Sequence, residues 1–237
     1  MSDFLPASGE IIPLCLSGQI IVVNKPPGLP TQAPSGIDSM EVRVKRFLAN
    51  QDGGASTRSG QVYLGVPHRL DRPASGVMVF ARTKNAARHL ARQFQERTVG
   101  KSYWAVVSGV VAPTQGTWID TMRKIPDEAR SEICEPDTDG ARRAVLHYRR
   151  RPSAHPATLL EIRLETGRSH QIRLQAASRG HPLLGDDLYG SDILFGPPTP
   201  DLRQRSIALH ARSLVLVDPE TEQPVSFAAE PPEFWPD

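Results

Sequence analysis

Cysteine is scarce in this sequence, and its scarcity excludes several classes of protein. The 237 residues contain two cysteines, Cys15 and Cys134, which stand far apart. Two distant cysteines indicate neither a disulfide framework nor a cysteine-rich zinc site, and they favour a reducing, cytoplasmic setting. Seven histidines are present, but none has a second ligand at the spacing that zinc sites use. We therefore predict that the protein binds no metal.

Long apolar runs and glycine-rich phosphate loops are missing as well. No apolar run approaches the roughly 18 residues that a membrane-spanning helix needs. Residues 1–10 lack the basic start and apolar stretch of a signal peptide. The sequence contains neither a G-x-G-x-x-G nor a P-loop pattern. These absences predict a protein without a membrane span and without a nucleotide cofactor.

Basic residues are present in clusters, although the net charge is only +2. The range Arg82–Lys101 carries six basic residues and a single acid, Glu96, while Arg142–Arg151 holds five arginines and no acid. Such segregation suits a polyanionic ligand such as a nucleic acid. A solvated protein surface would explain it equally well, so charge alone does not decide between the two.

Short apolar runs with many β-branched residues predict several strands and few helices. We predict strands at Ile20–Val23, Val77–Ala81, Tyr103–Val107, Ala144–Arg149, Thr158–Leu164, Ser206–Ala211, Leu214–Val217 and Val225–Ala228. Regular β–α–β alternation is absent. The sequence therefore predicts an α+β fold with a mixed, largely antiparallel sheet, as one domain over residues 1–237.

Potential N-caps predict where the helices begin. Ser39, Thr83 and Ser169 each precede a helical pattern. For the second helix we expect Ala87, Leu90, Ala91 and Phe94 to form the buried face. The stretch Val111–Gly140 is rich in Pro, Asp and Thr, which predicts loops and short strands.

The most informative segment runs from Pro67 to Gly76, with the sequence PHRLDRPASG. It places one carboxylate, Asp71, between Arg69 and Arg72, and then bends the chain before the apolar run Val77–Ala81. Neighbouring guanidinium groups favour the ionised carboxylate, which can act as a nucleophile or as a base. A surface ion pair in a turn is the simpler interpretation of the segment taken alone.

Three further motifs, in a fixed order, change that interpretation. They are VNKPPG at 23–28, KSYWA at 101–105 and TGRSHQIR at 166–173. Together with the Asp71 segment they resemble the RluA-type pseudouridine synthases, which isomerise uridine in structured RNA. The resemblance extends from about Gln19 to Pro232. It implies the α+β fold of those enzymes, and no cofactor, because the isomerisation consumes nothing.

The resemblance also implies roles for individual residues. Asp71 matches the catalytic aspartate, Tyr103 the tyrosine that stacks on the target base, and Arg168 the arginine that pairs with the aspartate. Residues expected to bind the substrate are Lys25, Arg69, Arg72, Arg173 and Leu209. The partner is ribosomal or transfer RNA, and we expect a monomer. Relatives often carry an N-terminal RNA-binding domain of the S4 type; the matching residues here begin at Gln19, so we expect none.

Two other functions compete with this interpretation. A non-catalytic RNA-binding protein could share the fold, although binding alone would not require Asp71, Tyr103 and Arg168 together. A glycosidase or nucleosidase could also use an aspartate at ribose C1′, but most glycosidases employ two nearby carboxylates. Asp71 is the only acid between Gln61 and Gln95, so the synthase is the favoured hypothesis.

Overall fold

Strands account for most of the regular structure in this protein. A computed structural model describes residues 11–51, 62–152 and 157–236. The backbone groups into two compact units. Unit 1 comprises Met1–Val99 and Ala211–Glu233, and unit 2 comprises Gly100–His210 and Phe234–Asp237. The expected single domain stays a prediction.

The elements are named in chain order. The strands are β1 (Pro13–Leu16), β2 (Ile20–Lys25), β3 (Ser75–Ala81), β4 (Gly100–Val107), β5 (Gln115–Lys124), β6 (Ser131–Ile133), β7 (Arg142–Arg151), β8 (Thr158–Leu164), β9 (Leu209–Val217) and β10 (Pro224–Ala228). The helices are α1 (Met40–Gln51), α2 (Lys84–Glu96) and α3 (Gln171–Ala177). The observed elements confirm the predicted α+β class with a largely antiparallel sheet.

Unit 1 is built around two buried antiparallel strands, β2 and β3. Their register joins Ile20 to Ala81 and Lys25 to Gly76, and the apolar residues Ile20–Val23 and Val77–Ala81 are buried. Strand β1 pairs with the other edge of β2, and β10 pairs with β9, both antiparallel. Burial on both faces explains why these strands read as continuous apolar runs.

The helices of unit 1 begin where their caps predict. The Ser39 hydroxyl accepts a hydrogen bond from the Val42 amide, and the Thr83 hydroxyl from the Ala86 amide. The predicted buried face of α2 is wrong in part, because Ala91 is exposed and Gln93 is buried. The Gln93 amide exchanges two hydrogen bonds with the backbone of Val217, each of 2.8 Å. A fully paired amide can be buried at little cost, which hydrophobic periodicity does not reveal.

Unit 2 contains the strand order β4-β8-β7-β5-β6, in which all four neighbouring pairs are antiparallel. The prediction of loops and short strands over Val111–Gly140 is wrong for β5, a ten-residue strand of which residues 115–122 pair with β7. The predicted cap Ser169 is also wrong, since α3 begins at Gln171 and His170 occupies the cap position. No helix in the described ranges is long and apolar enough to cross a membrane.

Candidate active site

The Asp71 loop is fixed by a threonine from a distant part of the chain. The Thr31 hydroxyl donates to the Leu70 carbonyl (2.9 Å) and accepts from the Leu70 amide (3.1 Å). Thr31 is buried, and its own carbonyl accepts from Glu41 in the first turn of α1. Both backbone groups of the residue before Asp71 are therefore satisfied by one side chain, which restrains the backbone that presents the carboxylate.

Lys25 ties the same loop down on the other side of Asp71. Its side chain is fully buried, and its Nζ donates to the carbonyl oxygens of Pro26 (2.8 Å), Leu29 (2.8 Å) and Arg72 (3.2 Å). The Arg72 carbonyl also accepts from the Gly28 amide at 2.8 Å. One ammonium group thus links the turn after β2 to the residue that follows Asp71.

Burial dominates the electrostatics of Lys25. Desolvation lowers the pKa of Lys25 from 10.5 to about 7; the Asp71 carboxylate opposes this change, and the Arg72 guanidinium adds to it. Three carbonyl acceptors match the three protons of an ammonium group. At neutral pH the group therefore lies close to its own titration.

Histidine braces the start of the Asp71 segment. His68 Nε2 accepts from the Val79 amide at 3.1 Å, and its ring stacks on Phe94 with the centroids 4.6 Å apart. The side chain of Arg69 is exposed, and Arg72 and Asp71 are half-buried. Gly76, at φ +125°, enters β3 where a Cβ would collide with the Ala211 backbone. Unit 1 thus holds Asp71 on a rigid loop with one arginine directed to solvent.

Four of the predicted residues lie in unit 2. Tyr103 is on β4, directly opposite the buried Ile162 of β8, and is itself half-buried. Leu209 begins β9 and is buried, beside Ala208 of a cluster with Val106, Leu159 and Trp235. Arg168 lies in the loop between β8 and α3, and Arg173 lies within α3.

The Arg168 loop is held by buried amides. The Gln171 Oε1 atom accepts from the Arg168 amide (3.0 Å) and from the Thr166 hydroxyl (2.8 Å). Gln171 Nε2 in turn donates to Gln175, which donates to Asp120 of β5 at 2.6 Å. The Arg168 Nε atom donates to the Arg143 carbonyl at 3.0 Å. The backbone amide and the Nε atom of Arg168 are therefore both held by hydrogen bonds within unit 2.

Arg173 has an internal acidic partner. Its Nε and Nη2 atoms donate to the two oxygens of Asp186, each at 2.7 Å. The two side chains are only 5% and 1% exposed, so this is a buried, bidentate ion pair. The substrate contacts expected of Lys25 and Arg173 stay a prediction. Both side chains are buried and have internal partners, so we expect both to position neighbouring loops.

Sequence reasoning missed the side chains that hold these loops. Thr31, Gln171 and Asp186 each bind a backbone or an arginine beside a predicted site residue. Gln171 lies inside a motif that was recognised, so its position was a usable signal. Thr31 and Asp186 lie outside the four motifs, and nothing in their local sequence distinguishes them from other polar residues.

An aspartate such as Asp71 can act as a nucleophile or a base, and a tyrosine such as Tyr103 can take part in proton transfer. Among the residues that the structure describes, no group of three or more His, Cys, Asp or Glu side chains could hold a metal ion.

Comparisons with known proteins place these features in context. Residues 19–178 match the profile of the RNA pseudouridylate synthase family. The chain is 34% identical to ribosomal large subunit pseudouridine synthase D of Zymomonas mobilis, over 90% of this chain and 67% of that protein. It is 33% identical to the dual-specificity RNA pseudouridine synthase RluA of Yersinia pestis, over 89% and 94%. Human RNA pseudouridylate synthase domain containing 4 shares the fold with a TM-score of 0.73 at 25% identity, over 94% of this chain and 89% of that one. The chain spans 63% of the length of one longer relative, from Synechocystis.

The buried ammonium predicts how stability depends on pH. In the unfolded chain Lys25 keeps its proton up to a pKa of 10.5, whereas in the native state it loses the proton near 7. Between these values the unfolded state binds more protons, so the free energy of unfolding rises with pH. Below both values the desolvation cost is present in full.

We therefore expect wild type to gain stability relative to Lys25→Met as the pH is raised from about 7 to about 9. Urea denaturation of both proteins at matched ionic strength measures the difference. A difference that stays constant over this range would mean that Lys25 keeps its proton in the native state.

Proposed function

Since the chain belongs to the RNA pseudouridylate synthase family, and to its RluA-type branch, we propose that it isomerises specific uridines of structured RNA to pseudouridine. The reaction breaks the bond between ribose C1′ and uracil N1, rotates the base and joins C1′ to C5. The proton at C5 is lost and N1 gains one, so the atoms balance without a co-reactant.

One observation carries the proposal: Asp71 lies on a loop whose backbone is fixed on both sides by buried polar groups. Thr31 binds both backbone groups of Leu70, and Lys25 binds the carbonyl of Arg72. Ordinary surface turns do not require a fully buried lysine to hold them. Such pre-organisation is what a nucleophile or general base needs, because misplacement by about 1 Å can cost about 10²-fold in rate.

The other predicted residues receive roles by resemblance. Tyr103 stacks on the target base, Leu209 packs beside it, and Arg168 pairs with the Asp71 carboxylate, for which a planar guanidinium offers two parallel bonds. A uridine within a stem or loop must leave its stack to be modified. Arg69, exposed beside Asp71, and Arg72 are then the cations that meet the flanking phosphates.

Ribosomal or transfer RNA is the proposed substrate, in keeping with relatives named for the ribosomal large subunit. The three arginines at the end of strand β7 differ in exposure. Arg149 and Arg151 are exposed and alternate along the strand, whereas the half-buried Arg150 points to the opposite face and donates to the Val111 carbonyl at 3.2 Å. Arg149 and Arg151 are therefore candidates for RNA binding, and Arg150 supports the fold.

The central test of the proposal is Asp71→Asn. The amide keeps the shape of the carboxylate but supplies neither a nucleophile nor a base, so single-turnover pseudouridine formation should fall by at least about 10³. RNA affinity should stay near wild type, and the protein should remain folded. Activity within tenfold of wild type would remove Asp71 from the mechanism, and wild-type protein that binds RNA without turnover would favour the non-catalytic alternative.

The arginines of β7 can be tested by their faces. We expect the double change Arg149→Gln and Arg151→Gln to weaken RNA binding and to flatten its salt dependence by roughly 0.7–0.9 log units per lost phosphate contact. The rate at saturating RNA should not change. Arg150→Gln is the matched control, adjacent in sequence but on the other face, and should lower stability while leaving the salt slope intact. Equal slopes for all three proteins would place the RNA-binding surface elsewhere.

A further inference from the structure

The Tyr189 hydroxyl lies at the junction of three segments of unit 2. It accepts from the Ser131 amide of β6 at 2.8 Å and lies 2.9 Å from His170 Nδ1. The Ser131 hydroxyl completes the junction by donating to the Ser169 carbonyl at 3.0 Å. The two residues that directly follow Arg168 are thus attached to one phenol and one serine.

The ring of Tyr189 contacts a buried ion pair. Its ring lies over the Arg173 guanidinium, 5.1 Å from centroid to Cζ, and that guanidinium forms the buried pair with Asp186. Asp186 immediately precedes the short 3-10 turn Asp187–Tyr189. The guanidinium is attracted to the face of the ring, which restrains the ring and with it the hydroxyl.

The backbone of the loop that Tyr189 contacts, residues 168–170, is strained at His170. His170 has φ 55° and ψ 24° in the left-handed region, and its side chain does not cap α3. A non-glycine residue adopts this conformation only at a cost in free energy. The hydrogen bond between the His170 ring and the Tyr189 hydroxyl offsets part of that cost. Without it, we expect residues 168–170 to relax toward a less strained path.

Relaxation of this loop would move Arg168. Its amide is held by Gln171 and its Nε by the Arg143 carbonyl, while the next two residues are held by Ser131 and Tyr189. A shift of the backbone at 169–170 would be passed directly to the adjoining Arg168. A group that must pair with a carboxylate in the transition state needs its geometry held within about 0.5 Å. Tyr189 supplies the restraint on the side of the loop that Gln171 does not reach.

We propose that Tyr189 is a positioning residue, which acts through His170 and Ser169 to fix Arg168 for catalysis. This inference rests on the role of Arg168 in the proposed function. In this proposal the buried Arg173–Asp186 pair orients the ring of Tyr189.

The test removes one oxygen atom from Tyr189. Tyr189→Phe keeps the ring over Arg173 and loses the hydroxyl. We expect the single-turnover rate at saturating RNA to fall on the order of 10-fold to 100-fold, with RNA affinity unchanged. Tyr148→Phe is the matched control, since its buried hydroxyl donates to the Pro113 carbonyl at 3.3 Å, away from the loop. It should lose some stability and keep the rate. A rate within twofold of wild type for Tyr189→Phe, or an equal loss in Tyr148→Phe, would overturn the inference.

A double-mutant cycle separates positioning from a general loss of structure. If Tyr189 acts through Arg168, the phenylalanine change should have little further effect in an Arg168→Lys background. Additive losses would overturn the inference. If Tyr189→Phe fails to fold, Ser131→Ala enters the same cycle, because it frees Ser169 and leaves the ring in place. An inactive Asp71→Asn beside a fully active Tyr189→Phe refutes only the positioning role, whereas full activity in Asp71→Asn refutes the catalytic assignment itself.

Discussion

A buried ammonium group organises the part of unit 1 that carries Asp71. The Lys25 side chain is fully buried, and its Nζ donates hydrogen bonds to three carbonyl oxygens from two separate loops. Desolvating a cation is expensive, and the structure offsets this with three acceptors and the nearby Asp71 carboxylate. The position of Asp71 follows from this contact, because the lysine holds the carbonyl of the very next residue. Thr31 completes the restraint at Leu70.

Unit 2 solves the same problem with different chemistry. Its loop around Arg168 is bound on one side by the amide of Gln171 and on the other by Tyr189 and Ser131. Behind these lies the Arg173–Asp186 pair, which is buried and bidentate. In each unit, a basic residue expected to bind the substrate (Lys25 or Arg173) is buried and binds groups of the protein itself. Fully satisfied buried polar networks of this kind rigidify a site.

Some of this architecture could be predicted from the sequence, and the physical reasons are plain. Strands β2 and β3 are apolar on both faces, and Thr83 caps α2, so local patterns were sufficient. Strand β5 escaped prediction because its long pairing with β7 outweighs weak local propensity. Gln93 and Thr31 were missed because their partners lie far along the chain. Asp186 was missed because nothing in its local sequence marks it as the partner of Arg173. The sequence shows that Lys25 and Arg173 are basic. It does not show that they are buried, because burial depends on the tertiary structure, and burial decides which groups they bind.

The proposed reaction moves ribose C1′ from N1 to C5 of uracil. RNA labelled with tritium at uracil C5 tests it directly, because forming the new carbon–carbon bond expels the hydrogen at C5. Incubation with the protein should release the label into water in a one-to-one ratio with pseudouridine formed in the RNA, without free uracil. Label that stays in the RNA, or that leaves on free uracil, would contradict the account; the second result would identify a hydrolase.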